Sequence, residues 1–259
     1  MPELPDLQAF SINLQKKLHN KKVKDVNLLF AKKSNAPEAK LKKALDKQAL
    51  AEVYRDGKEL YFKFKNDDIL RLHLMLRGKL YLVEHEEEPK HSILEILFDE
   101  DIKLVLTDFQ KAATITLNPE PSDVPDAMSP EVDADFLKGI LSKKKAIIKN
   151  VLLDQHNIKG IGNAYADEIL WDAKISPMSV SNKIPDNAIK RLAKSIKSVL
   201  KNAEKQILKK DPDIISGEIR DFLDIHNSKK THSPTGGKII SQTVNSRITY
   251  YTEEQELFE

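Results

Sequence analysis

Three observations predict an α+β protein in two halves. Closely spaced runs of alternating polarity fill the first 118 residues, a proline-rich stretch follows, and helical periodicity dominates the remainder. The first half reads as a β-sandwich or barrel behind an opening helix. The second reads as a helical domain that ends in a β-hairpin.

Pro5-Asp6 introduces the opening helix, in which Leu7, Phe10, Leu14 and Leu18 recur at three- and four-residue spacing. From Val23 the texture changes: residues 23–30 predict a strand and residues 37–45 a short helix. Residues 59–65 (ELYFKFK), 69–76 and 79–84 have period-two patterning and are spaced as in a meander. Residues 92–98, 102–107 and 113–117 continue it, and six or seven such strands suggest a sandwich or barrel.

Residues 118–131 (NPEPSDVPDAMSPE) hold four prolines and few large apolar side chains, which marks a domain boundary. Helices are then expected over 133–141, on either side of a turn within 147–177, and from 185 to about 208, where Asp211-Pro212 stops the last one. Residues 216–223 predict one more short helical turn. Residues 238–244 and 247–252 can pair around Asn245-Ser246. The expected organisation is a β domain over 1–118, a linker over 119–132, a helical domain over 133–223 and a hairpin segment over 224–259.

Net charge is +2, so the whole-chain balance does not announce a polyanion partner. Lys143–Lys145 and the lysines between 190 and 210 could bind one, but composition alone favours a solvated helix face for such runs. There are no cysteines, which excludes disulfides and thiolate metal sites. No apolar run approaches the roughly 18 residues of a membrane span, and Met1-Pro2-Glu3 does not open a signal peptide. A cytoplasmic protein without a membrane partner is expected. The small residue after Met1 favours removal of the initiator methionine, which would leave Pro2 as a free secondary amine.

The stretch 147–177 (IIKNVLLDQHNIKGIGNAYADEILWDAKISP) organises the second half. Leu152, Leu153, Ile158, Ile161, Ile169 and Leu170 supply apolar positions for two short helices. Between them, Gly160 and Gly162 permit left-handed backbone and close approach, and Asn163 stands where an N-cap is expected. The free N–H groups of such a helix start suit a phosphate. A tight connection needing glycine for steric reasons alone is the other reading.

Taken together, these segments resemble the formamidopyrimidine-DNA glycosylase / endonuclease VIII family of base-excision enzymes. MPELPD is close to the family's opening MPELPE, and Gly57-Lys58 before Leu60 is similar to its GK(Y)L word. His73-Leu74-Met75-Leu76-Arg77-Gly78 resembles HLGMSG, and Lys149 to Pro177 resembles the helix–two-turn–helix at LLDQ, GIGN and YADE. Ser246-Arg247-Ile248-Thr249-Tyr250-Tyr251 resembles the GRSTYYC of the final finger. Five words in the expected order span nearly the whole chain.

The resemblance implies a β-sandwich, a helix–two-turn–helix domain and a β-hairpin finger, acting on damaged double-stranded DNA as a monomer. It implies a bifunctional DNA glycosylase and abasic-site lyase that removes an oxidised base through an imine at Pro2 and cleaves the strand by β,δ-elimination. Glu3 would act as general acid on the sugar and then as base, although a carboxylate near a helix start has a bland reading too. Lys58 would contact a phosphate and assist elimination, unless it is an ordinary hairpin lysine. Arg247 would clamp phosphates with its fork of donors. Lys149, Gly162 and Asn163 match the phosphate grip, Lys145 and His91 match weaker DNA-contact positions, and Leu76 would fill the gap left by a flipped base. A core leucine is the alternative for Leu76.

Departures from the pattern are as informative. The family commonly carries a zinc finger with four cysteines. Here Ser233-Pro234-Thr235-Gly236-Gly237 stands where a Cys-Pro-x-Cys-Gly knuckle would be, and Thr252 stands for a third cysteine. A zincless finger with no metal and no cofactor is therefore expected. Asp108-Phe109-Gln110-Lys111-Ala112-Ala113 replaces the family's Asp-Pro-Arg-Arg-Phe-Gly, so an arginine and a phenylalanine facing the opposite base are gone unless Phe109 substitutes. Asp6 replaces a glutamate. The altered loop motivates an alternative, a catalytically silent damaged-DNA-binding protein of the same fold. The retained Pro2, Glu3, Lys58 and Arg247 argue for the enzyme.

Overall fold

Residues 1–84 and 89–259 are described by the computed structural model. They divide into two units, one of residues 1–121 with 207–218 and one of residues 122–206 with 219–259.

The first unit opens with α1 (Leu4–Leu18). Pro5 suits the first turn because the N–H it lacks would have no intrahelical acceptor. Asp6 accepts the Glu3 N–H at 2.8 Å, one arm of a capping box that fixes the helix start. Leu7, Phe10, Leu14 and Leu18 are all buried, as their spacing predicts. After β1 (Val23–Asn27) and α2 (Glu38–Leu45) come β2 (Leu50–Asp56), β3 (Glu59–Phe64), β4 (Ile69–His73), β5 (Lys79–Glu84), β6 (Ser92–Phe98), β7 (Ile102–Thr107) and β8 (Thr114–Leu117). Among the described residues they form two four-stranded sheets of the sandwich, ordered β1-β6-β7-β5 and β2-β3-β4-β8. Every pairing in them is antiparallel.

Two strands end three residues earlier than expected and one was not foreseen. β1 stops at Asn27 because the Leu28 N–H turns to the Glu38 carboxylate (2.9 Å). β4 stops at His73, where the chain enters a turn closed by Gly78 N–H to Leu74 O at 2.8 Å. β2 pairs with β3 although Glu52, Arg55 and Asp56 blur its alternation. The segment 207–218 joins this unit through Asn13, which donates to Ile214 O at 2.8 Å.

The second unit holds α3 (Ala134–Leu141), α4 (Ile148–Leu153), α5 (Asn163–Asp172) and most of α6 (Asp186–Lys210). Asp133 caps α3 by accepting from Phe136 N at 2.8 Å. Tyr165, Leu152, Ile158, Ile161, Ile169 and Leu170 are buried, joined by Leu192, Ile196 and Leu200 of α6. β9 (Ile239–Val244) and β10 (Arg247–Thr252) form the terminal hairpin. Asn245 and Ser246 both take left-handed φ (48° and 62°), the two-residue turn that suits strand twist. The helical turn expected over 216–223 does not form. Gly217 takes φ 88°, and the N–H groups of Asp224, Ile225 and His226 go to the Glu168 carboxylate instead. No helix among the described residues is long and apolar enough to cross a membrane.

Candidate functional site

The first group of residues lies at the chain start. Pro2 is buried, and Glu3, the N-cap of α1, is only 5% exposed. The Met1 ammonium is paired with Glu218. The capping box locks Glu3 and Asp6 together, so the backbone just before α1 is held rather than frayed. Asp6 in place of a glutamate keeps this function. Lys58 follows Gly57 (φ 58°) in the tight β2–β3 turn and is half-buried.

A second group surrounds the β4–β5 turn. Leu74 is buried, whereas Leu76 is 61% exposed, which removes the core reading of Leu76. Met75 takes φ 55°, and its N–H donates to His73 Nδ1 at 2.9 Å. A Cβ at Gly78 would lie 2.9 Å from the Leu74 carbonyl carbon, so only glycine closes this turn. Burial pushes the His73 imidazole below its usual range, with Lys58 and Arg71 adding to the effect and Glu59 opposing it. Phe109 is 57% exposed, its ring 6.0 Å from the Arg77 guanidinium and 6.5 Å from the His91 ring. Asp108 holds this loop by accepting from the N–H groups of Gln110, Ala112 and Ala113.

The third group is the α4–α5 hairpin with β10. The N-cap of α5 is Gly162 (φ −118°), not Asn163, which is the first helical residue. Of the two glycines, Gly160 takes the left-handed conformation (φ 105°). Asn163 Nδ2 donates to Ile248 O at 2.9 Å.

Lys149 departs from its expected surface role. It is 1% exposed, its ammonium 2.6 Å from Asp167 Oδ1 and donating to Thr249 Oγ1 at 2.7 Å. The burial closes its reach to an external phosphate, and the charge is spent on tying α4 and α5 to β10. Asp167 Oδ2 also accepts Tyr250 N–H at 2.9 Å and lies 2.7 Å from His226 Nδ1. Arg247, two residues before Thr249, is exposed at the start of β10, and Lys145 is exposed between α3 and α4.

Asp167, Glu168, His226 and Thr249 were not singled out from sequence. Their signal was present: Asp167 and Glu168 are adjacent acids on an α5 that is otherwise buried and apolar over residues 164–171. Burial raises the Glu168 carboxyl above the usual range against the pull of its three backbone donors.

Where the resemblance would put thiolates, Ser233 and Thr252 carry hydroxyls and Gly236 has no side chain. Zinc takes Cys sulfur, His nitrogen or carboxylate ligands, four at a time. Ser233, Gly236 and Thr252 offer none of these, and among the described residues no group of three or more His, Cys, Asp or Glu is placed to hold a metal. The donor set does not fit zinc.

Comparisons with known proteins follow the same layout. Residues 1–115 match the model of the formamidopyrimidine-DNA glycosylase N-terminal domain, and residues 124–211 match that of its H2TH domain. A formamidopyrimidine-DNA glycosylase of Ligilactobacillus salivarius is 34% identical over 213 residues, covering 76% of this chain and 75% of that protein. One from Pelotomaculum thermopropionicum is 28% identical over 270 residues, covering 97% of each. The Lactococcus lactis Fpg solved with DNA containing an abasic site superposes with a TM-score of 0.87 at 26% identity, over 98% of this chain and 100% of that one. The same enzyme solved with DNA containing an oxidized pyrimidine gives 0.87 at 27% identity, with the same coverage.

Proposed function

This chain belongs to the formamidopyrimidine-DNA glycosylase family, and we propose that it is a bifunctional glycosylase and abasic-site lyase whose nucleophile is Pro2. Its substrate is double-stranded DNA bearing an oxidised base. The observation that carries the reading is the chain start, where Pro2 and Glu3 are buried side by side at the capped end of α1.

With Met1 removed, Pro2 presents a secondary α-amine. An α-amine has a pKa of about 7.7–8.0 against about 10.4 for lysine, so its unprotonated fraction at neutral pH is a few hundred-fold larger. That amine attacks the sugar C1′, the N–C1′ bond forms, and the bond to the damaged base breaks with the base as leaving group. Glu3 protonates the sugar ring oxygen as the ring opens and then takes a proton from the imine's adjacent carbon. Expulsion of the 3′ phosphate, then of the 5′ phosphate, completes β,δ-elimination. Lys58 and Arg247 neutralise the phosphates that leave.

The remaining residues hold the duplex. The α5 start at Gly162-Asn163 is the phosphate site, with Lys145 and His91 as further phosphate contacts that position without choosing the base. Leu76, pushed outward by its glycine-closed turn, enters the stack when the damaged nucleotide flips out. Lys149 contributes indirectly, by fixing β10 and therefore Arg247.

Purified protein incubated with a duplex carrying one abasic site tests the lyase step. Nicked product with phosphate on both sides of the gap supports it. Tight binding with no nicking contradicts it.

A further inference from the structure

We propose that Glu254 is the clasp of the finger: its carboxylate closes the 233–237 knuckle onto β10 and α5, and it thereby positions the strand that carries Arg247. The positioning clause rests on the role proposed for Arg247, whereas the clasp itself does not. Glu254 Oε2 accepts from Ser233 Oγ at 2.8 Å, Thr252 Oγ1 at 3.1 Å and the Trp171 indole N–H at 3.3 Å. Oε1 accepts from Thr235 Oγ1 at 2.5 Å. One carboxylate therefore gathers donors from the knuckle, from the end of β10 and from α5.

The knuckle is shaped around this acceptor. Ser233 Oγ in turn accepts the Gly237 N–H at 3.1 Å, and Ser233 and Thr252 are buried. A Cβ on Gly237 would lie 2.8 Å from Glu254 Cγ, so the glycine leaves the space that the carboxylate's stem occupies. Next in the chain, Gln255 accepts the Thr252 N–H and donates to Ile175 O, both at 2.8 Å, which adds a second tie to the region behind α5. A carboxylate with three hydroxyls and an indole is a complete hydrogen-bonded cluster with no need of a cation.

The hydroxyls of Thr235 and Ser233 are the main reason the Glu254 carboxyl is lowered to about 2, with Trp171 and Thr252 contributing and desolvation opposing. A depressed carboxyl stabilises above its unfolded value, and that contribution is lost as pH falls from about 4.5 toward 2. Between pH 5 and 9 the clasp stays charged.

Trp171 is the one tryptophan in the chain, so its indole N–H is a unique resonance that reports the clasp directly. In metal-free buffer with chelator, wild-type protein should keep that resonance shifted and slow to exchange, unchanged from pH 8 to pH 5. Glu254→Ala should move it and speed its exchange, Gly237→Ala should do so by displacing the side chain, and Glu254→Gln, which keeps one acceptor, should fall between. On abasic-site duplex, Glu254→Ala should lower kcat/KM about tenfold, and should cost little more when Arg247 is already Ala. An indole resonance indifferent to Glu254→Ala, a finger that loses order on chelation, or a Glu254→Ala loss that persists in full in the Arg247→Ala background would each overturn the proposal. If wild-type protein nicks nothing, the lyase reading fails while the indole resonance still judges the clasp.

Discussion

The Lys149 ammonium sits 2.6 Å from the Asp167 carboxylate with both side chains sealed from solvent, and Thr249 and Tyr250 of β10 complete the same network. A charge pair at this depth commits α4, α5 and the finger strand to one arrangement. Breaking a buried pair by removing one partner costs about 3–5 kcal/mol, because the other charge is left without compensation. Lys149→Met should therefore lower unfolding free energy in denaturant by that order.

The same variant separates a structural lysine from a phosphate contact. Each phosphate neutralised contributes a slope of about 0.9 to the fall of log K with log salt. Arg247→Ala should reduce that slope by about one in DNA-binding titrations, and adding Lys149→Met to it should reduce the slope no further. A further reduction in the double variant would mean that the lysine swings out to the duplex.

Leu76 is exposed, so its loss should not affect folding. Surface substitutions change stability by about 0.5 kcal/mol or less, and Leu76→Ala should stay within that range. Extruding a base costs a few kcal/mol, which an inserted apolar side chain offsets in part. Leu76→Ala should thus slow base excision from duplex about tenfold, equivalent to about 1.4 kcal/mol, and should leave lyase activity on a preformed abasic site much less affected. Single-turnover rates on the two substrates check this.

His73 gives the turn below Leu76 a pH dependence. Burial depresses its folded pKa below the usual 6.5, so the unfolded chain binds the extra proton and stability rises with pH across the window between the two values. Stability should fall as pH drops through about 6.5, and His73→Gln should flatten that limb of a melting-temperature profile. Protonation at Nδ1 would also release the Met75 N–H that this nitrogen accepts.

Most strands were legible because alternation is a local signal: β5, β6 and β7 fall at the expected residues. β2 was missed since three charged residues interrupt its pattern and its pairing with β3 is what makes it a strand. The α4–α5 hairpin was readable from GIGN, yet which residue caps α5 depended on backbone angles that spacing does not carry. Lys149 reads as a surface charge in sequence because its partner Asp167 is 18 residues away and Thr249 is 100 away. Glu254 was invisible for the same reason. Its meaning lies in donors brought together from Trp171, Ser233 and Thr235 as well as its near neighbour Thr252.

The nucleophile is the central claim, and borohydride trapping tests it most directly. Protein freed of Met1, mixed with abasic-site duplex and reduced, should form a covalent adduct, and peptide mapping should find the sugar remnant on Pro2. A form retaining Met1 should trap nothing. An adduct mapped to a lysine side chain, or no adduct from protein with a free Pro2 amine, would contradict the account.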